Sequence, residues 1–507
     1  MNKKGIWIGL IVAAIVVVAG VSAAAILNKN PKQQYFSAEK ASWDFMTEVV
    51  EDRYGDELEW MDQMKETPNE STIELSASYN DPSGFDTMGI QPLINNSSIT
   101  IENSVDPENK EMTAALSAGV AGISLEDIKL YVTADKAMAS LPFLDKYVQV
   151  KESDLSGLLH TFDPIAFTGE EEINFDALFN QEPIPEEDLE YIQDTYLKLI
   201  YDELPEEAFT SEEESVDVNE ESMQATKVTL ALSEEQIKSI IEKVLTEAED
   251  DERLKEIITQ QSSSPIPYTT EEIEQLTEEY DTAIAEAKTG LEDVTIPDGL
   301  ISTIWIDNDL IVKRDVAIKI GPSEAELAEL SLVGTQSLQN NTQTFDYALE
   351  DKNPSNESTV NVTGDLSWQD GSADDSIKLS SEDTELTYSA TEQLVDGTRE
   401  FDRTFAFSDP ASPSPFELNW NGKSTYDQDQ MNADHHVSFI GEGLSEDIFQ
   451  LNVTTDAALV KSIDAGMDDK EVVDLGAMSE AELETYMTQE FSPQLQQWLM
   501  MFMGAGF

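Results

Sequence analysis

Asp427, Asp429, Asp434, His435 and His436 form the densest group of potential metal ligands in this 507-residue sequence, which has only three histidines. Asp427 and Asp429 match the first two ligand positions of a calcium loop. The sixth position, where glycine makes the sharp turn, is Asn432, and the twelfth is Ser438 rather than glutamate. The group therefore reads as a polar turn ahead of a Val437/Phe439 strand. The third histidine, His160, follows Leu158 and Leu159 and reads as a half-buried packing residue on a helix. A serine hydrolase needs a histidine and a serine on a strained turn, and no G-x-S-x-G elbow is present. Cysteine is absent, which removes thiolate ligands, thiol nucleophiles and disulfides together. No H-E-x-x-H zinc motif or phosphate-cradling glycine loop occurs. Carboxylate pairs suited to glycoside hydrolysis can be picked anywhere among 103 acidic residues, so they carry no specificity. No catalytic, cofactor-binding or metal residue is assigned.

Charge narrows the partners. The chain has 29 basic and 103 acidic side chains, a formal net charge of −74, which excludes nucleic acid because phosphate binding requires Lys/Arg surfaces. The acids peak locally at residues 202–221 (DELPEEAFTSEEESVDVNEE), which read as a solvated, mobile loop. The methionine-rich end, Trp498 to Phe507, reads as a terminal plug of a core, with a pliable surface for a partner or lipid as the functional alternative.

Residues 5–27 (GIWIGLIVAAIVVVAGVSAAAIL) are the one uncharged apolar run of spanning length. As a helix they would reach about 34 Å, against a hydrocarbon core of about 30 Å. The apolar core of a secretory signal is shorter, about 7–15 residues. The run is therefore expected to be an uncleaved transmembrane anchor, with residues 1–4 cytoplasmic and the body outside the cell. That makes the chain a single-pass, signal-anchored cell-membrane protein. Membrane contact is expected through residues 5–27, with a lipid or envelope partner beyond it.

The elements behind the anchor follow from periodicity. Residues 28–35 make a polar spacer, and residues 36–67 a long amphipathic helix with Trp43, Met46, Val50, Tyr54, Leu58, Met61 and Met64 on its apolar stripe, ended by Pro68. From there the period is two. Ile73, Leu75, Ala77 and Tyr79 alternate with polar residues, as do Ile99/Ile101 and Ile128/Leu130/Val132. Ser233 with Gln236, Thr269 with Glu272, and Ser479 with Glu482 are capping boxes that open helices. After Leu300 alternation dominates. Leu366/Trp368, Ile377/Leu379, Leu386/Tyr388, Phe405/Phe407, Phe416/Leu418/Trp420, Val437/Phe439 and Leu451/Val453 are separated by polar turns, as in a meander.

The basic start, the anchor, the helix PKQQYFSAEKASWDFM and the hairpin IWIDNDLIVKRDVAIKI resemble a family of Bacillota membrane-anchored proteins of unknown function. That resemblance implies an envelope protein and no particular chemistry. In element order alone, the sheet-plus-helix halves are similar to the lipoprotein-carrier half-barrels of the bacterial envelope, whose concave sheet holds acyl chains. The expected fold is α+β: an N-terminal transmembrane helix, then largely antiparallel curved sheets packed with helices. They are arranged as two similar lobes, a first over 68–297 and a strand-rich second over 298–507 with a C-terminal helix. The expected function is non-catalytic binding or scaffolding at the cell envelope, with a lipid or other hydrophobic ligand as the specific form. A carboxylate-based, metal-assisted envelope hydrolase is the alternative.

Overall fold

The computed structural model describes residues 30–504 except 81–89, 121–122, 166, 172, 180–184, 220, 261–269, 355, 411–414 and 467–470. The chain opens with helix α1 (Pro31–Glu66). Asn30 caps it by accepting the Gln33 backbone N–H at 2.8 Å, and the Gln33 side chain returns a bond to Asn30, with proline in the first turn where its missing N–H costs nothing. Thr67 is extended, as the residue before Pro68 must be. The helix bends at Tyr54 (φ −113°, ψ 24°), just ahead of Gly55.

Among the described residues twenty strands follow, all in one sheet. A first meander runs through β1 (Asn69–Tyr79), β2 (Ser98–Asp106), β3 (Glu111–Val120), β4 (Ile123–Thr133), β5 (Lys136–Ser140) and β6 (Tyr147–Lys151). A second runs from β7 (Phe209–Val218), β8 (Glu221–Leu232), β9 (Leu300–Asp307) and β10 (Leu310–Ile320) through β11 (Ala328–Gln339), β12 (Thr342–Asn353) and β13 (Asn356–Gln369). It continues with β14 (Ser372–Ser380), β15 (Glu385–Val395), β16 (Thr398–Ser408), β17 (Phe416–Tyr426), β18 (Gln430–Ile440) and β19 (Phe449–Leu459). Neighbours are antiparallel throughout, apart from the short β20 (Val472–Asp474), which runs parallel to β6. The two meanders join where β1 lies antiparallel to β19 along its whole length, from Asn69 opposite Leu459 to Tyr79 opposite Phe449.

That seam corrects the expected fold class. The chain is not a pair of α+β lobes of separate curved sheets; one sheet continues from the first meander into the second. The anchor expected at residues 5–27 lies outside the described residues. Among the described residues no helix is long and apolar enough to cross a membrane. The long α1 carries Glu48, Glu51, Asp52, Asp56 and Glu59, charges that are costly in hydrocarbon. The single-pass, signal-anchored cell-membrane placement is corrected to this alone: none of the described residues crosses a membrane as a helix. The acidic tract is corrected too: half of it is β7, whose Val216 and Val218 are buried while Glu212 and Glu213 stay exposed.

One face of the sheet carries helices at both ends. At the β8–β10 end, α1, α6 (Glu234–Glu249) and α8 (Thr270–Asp293) bury Tyr35, Phe36, Val228, Leu230, Ile237, Ile241, Ile304 and Ile311 in the main core. At the other end, α3 (Glu152–Phe162) and the 3-10 turn Phe175–Leu178 cover Val132 of β4. Between these groups the chain runs from Phe179 to α4 (Glu186–Ile192) and α5 (Lys198–Glu203), whose Ile200 joins the main core. From Phe179 to Ile200 the chain reaches at most about 46 Å, counting extended residues and then helix. On a flat sheet β4 and β8, fifteen strand spacings apart, would be separated by roughly 70 Å. The sheet therefore curls toward its helix-bearing face.

Candidate functional site

Strand register sorts the side chains onto two faces, because residues directly opposite each other on antiparallel strands share a face and alternate along each strand. Starting from Arg399, which meets α1, the helix-bearing face takes Phe401, Arg403, Phe405 and Phe407 of β16. Register then adds Leu386 and Tyr388 of β15 and Ile377 and Leu379 of β14. In the other direction it takes Phe416, Leu418 and Trp420, then Val437 and Phe439, Leu451 and Val453, Ile73 and Leu75, Ile99 and Ile101, and Leu116. In a chain of net charge −74, this face from β11 through β19 to β1–β3 holds six ionisable side chains of the Asp, Glu, His, Lys and Arg types. They are Asp351, Asp375, Glu392, Arg399, Arg403 and His435.

The middle of this face is not filled. Ile99, Leu116, Leu349, Leu379, Leu386, Phe405, Phe407 and Phe416 are each between 37% and 51% exposed. Single exposed leucines need no explanation, but these share one curled face, and Leu379, Leu386, Phe405, Phe407 and Phe416 lie on the adjacent strands β14–β17. Together they leave open on the order of several hundred Å² of apolar surface, the range that marks ligand or partner sites. The arrangement is an apolar basin with walls of helix and sheet.

A charged clamp closes one margin of the basin. Arg53 of α1 donates to Asp375 at 2.7 Å and to Glu392 at 3.2 Å. Arg399 and Arg403 also donate to Glu392, at 3.1 and 2.6 Å, and Tyr54 adds its hydroxyl at 3.2 Å. Arg399 reaches back to α1 through Glu57 at 2.5 Å and the Arg53 carbonyl. Three guanidinium groups meet three carboxylates, so the cluster is neutral. The Glu392 side chain has no exposure at all. Burial works against its carboxylate, but the bonds and charges of Arg403 and Arg53 outweigh that and hold its pKa below the ordinary range.

Beginning beside the clamp and crossing the strands away from it runs a row of rings. Tyr388 and Phe405 have centroids 5.0 Å apart, Phe416 and Phe439 6.0 Å, and Phe439 and Phe449 6.1 Å, with Phe407 facing Phe416 in register. Three glycines seat further aromatics on the same face. A Cβ on Gly364 would lie 2.1 Å from the Phe345 ring, one on Gly334 2.3 Å from Tyr347, and one on Gly422 3.0 Å from Phe401. The sequence showed the rings as alternating pairs. It did not show that register lines them up, nor that Arg53, Glu392, Arg399 and Arg403 converge.

The residues singled out by type disperse. Asp427 and Asp429 stay in the β17–β18 turn, while Asp434, His435 and His436 point alternately from β18. His435 lies on the helix-bearing face, accepting from Trp420 Nε1 at 3.3 Å beside Phe401; burial and Arg403 push its pKa down. His436 is on the polar face, with Nδ1 2.6 Å from Asn452 Oδ1. His160 is exposed rather than half-buried, its Nδ1 bonded to the Phe167 carbonyl at 2.7 Å. Among the described residues, no group of three His, Asp or Glu side chains is placed to hold a metal. In the C-terminal helix α10 (Ser492–Gly504), Trp498 leans on Phe143 with Phe491, while Leu499 and Met500 are exposed.

No protein-family profile matches the chain, and no curated protein is similar to it. Solved structures with a likeness include OmpTdeltaL8, a loop-deletion mutant of an outer membrane protein of Vibrio cholerae (6% identity, 78% of this chain and 98% of that chain, TM-score 0.22). OccK9 of Pseudomonas aeruginosa (4%, 77% and 97%, TM-score 0.26) and a BenF-like porin from Pseudomonas fluorescens Pf-5 (6%, 77% and 97%, TM-score 0.25) are similar to the same degree. At these TM-scores the likeness is one of long antiparallel strands in series, and no functional argument is drawn from it.

Proposed function

We propose that this protein binds a hydrophobic ligand, an acyl-chain-bearing molecule, in the apolar basin of its helix-bearing face. One observation carries the reading. Eight large apolar side chains of one face, five of them on the adjacent strands β14–β17, are 37–51% exposed, on a chain that is otherwise highly charged. Leaving such surface in contact with water costs about 25 cal/mol per Å², which a hydrocarbon occupant would relieve. The helices at both ends of the face and α1 across it wall the basin, as a container for a small guest requires. The clamp gives no geometric support to the hydrolase alternative. Asp375 and Glu392 are held by arginines and are not free to move a proton or attack a substrate.

The test is direct. The full chain, purified and then stripped of lipid by organic extraction of a resin-bound sample, is titrated with a fluorescent fatty-acid analogue. Saturable binding, lost in Phe416→Asp while the far-UV circular dichroism is unchanged, is the expected result. Binding that is equal in the wild type and in Phe416→Asp would remove the basin as the site.

A further inference from the structure

We infer that the ligand's hydrocarbon chain lies across the strands, along the ring row from Tyr388 through Phe405, Phe407, Phe416 and Phe439 to Phe449, with its polar end left at the open margin. This inference rests on the proposed function and specifies the seat and the class of guest. Three observations select an acyl chain over other occupants.

The row crosses five adjacent strands. Its rings sit on β15, β16, β17, β18 and β19, one or two per strand; the Tyr388–Phe405, Phe416–Phe439 and Phe439–Phe449 centroids are 5.0–6.1 Å apart, and Phe407 stands opposite Phe416 in register. Such a track, running across the strands, is matched by an extended chain. A docking protein surface would instead need about 800 Å² on each partner.

The row has no charge of its own. The nearest ionisable groups on that face are Arg403 and His435. Arg403 is committed to Glu392 at 2.6 Å, and His435 is held toward its neutral form by burial and by Arg403. Among the described residues no cation stands ready to draw a carboxylate or phosphate into the basin, and burying an unpaired charge there would be costly. A head group must stay at the margin while the hydrocarbon goes in.

The remaining space is bounded. Helix α1 is fixed over β14–β16 by the clamp, and further helices cover β8–β10 and β4. A slender chain needs less room between these helices than a folded partner does.

The experiment uses the full-length chain and palmitic acid carrying a diazirine at its terminal carbon. After irradiation, proteolysis and mass spectrometry, the inference expects adducts on peptides of β15–β19, displaced by excess unlabelled palmitate. Phe407→Asp should lower labelling at least tenfold without changing the circular dichroism. Displaceable adducts confined to β1–β4, to the polar face or to the outer side of α1 would overturn the track and leave lipid binding standing. No displaceable adduct anywhere would overturn both. A dimer that dissociates in Phe407→Asp, seen by sedimentation with no palmitate labelling, would assign the row to a second copy and likewise overturn it.

Discussion

Arg53 and Glu392 stand 339 positions apart in the chain, yet they are bonded at 3.2 Å inside the protein, fixing the first helix to the fifteenth strand. Glu392 is the common acceptor of Arg53, Arg399 and Arg403. Replacing it with glutamine leaves three guanidinium groups buried with one carboxylate fewer than they need. Breaking one side of a buried ion network costs about 3–5 kcal/mol. The urea midpoint of Glu392→Gln should fall accordingly. Lys40→Ala, which removes only the exposed pair with Asp44, should change stability by about 0.5 kcal/mol or less. Equal midpoints for the two variants would defeat the clamp as a structural anchor.

The clamp also sets an acid limit. Glu392 has a folded pKa below its unfolded value, so its contribution is present above the unfolded pKa and is lost as pH falls through the folded one. His435, with a depressed pKa, adds an earlier loss: below about 6.5 the unfolded imidazole takes up a proton that the folded one resists. Stability measured by urea titration should decline in two stages on acidification. His435→Phe should flatten the first stage and leave the second. An unchanged first stage would mean that the ring is freely hydrated.

At the alkaline end, burial raises Tyr54 and Tyr280 to about 12, and the phenols of Tyr35 and Tyr196 are pushed upward too. A folded phenol held neutral contributes fully below its unfolded pKa near 10, and the contribution fades as pH rises through the folded value. Most of the phenolate absorbance should therefore appear above pH 10, that of these four latest, with the opening of the fold. A single titration near pH 10 with the circular dichroism intact would contradict their burial.

How much of this was legible in the sequence depends on range. Alternation along single strands was read correctly at Phe416/Leu418/Trp420 and Val437/Phe439, because the period of two is local. The Ser233–Gln236 and Ser479–Glu482 capping boxes are also formed, each within four residues. The Thr269–Glu272 box begins outside the described residues. Pairing of β1 with β19 had no local signal, so the two meanders read as separate lobes. Helix α1 misled for a different reason. Its apolar stripe includes Trp43, Val50 and Met61, yet these are 69%, 46% and 56% exposed, while Arg53 and Trp60 are buried. Hydrophobicity predicts the buried side of a helix only when the partner surface is apolar, and here α1 lies on a patch of charge. The acidic tract failed similarly: β7 shows only Val216 and Val218 as inward residues among glutamates that face water.

Glycine placement gives a further expectation. Gly364 faces Phe345 across β12 and β13, and a Cβ there would come within 2.1 Å of the ring. Valine would expel the ring from its seat, an overpacking change that costs about 1–3 kcal/mol. Gly443 has nothing within 4 Å of a built Cβ, but its φ of +76° makes any side chain strained there as well. Gly55, with open space and helical surroundings, is the proper comparison: Gly55→Ala should be neutral or slightly stabilising. Thermal midpoints should separate the two, with Gly364→Val lowered and Gly55→Ala not.

The last expectation separates packing from ligand contact within a single strand. Phe401 and Phe407 occupy the same face of β16, but Phe401 is 7% exposed and Phe407 44%. Phe401→Ala removes a packed ring and should destabilise the apo protein by about 3–5 kcal/mol. Phe407→Ala gives up only part of a burial worth about 1.5–3 kcal/mol in full, so its loss should be about 1 kcal/mol. Ligand binding should rank the two in the reverse order once measured well below both unfolding midpoints. Phe407 offers its ring to the basin, while Phe401 is already spent on Trp420 and Arg403. If both variants lost binding in proportion to stability, the exposed ring would be ordinary surface and not a contact for the guest.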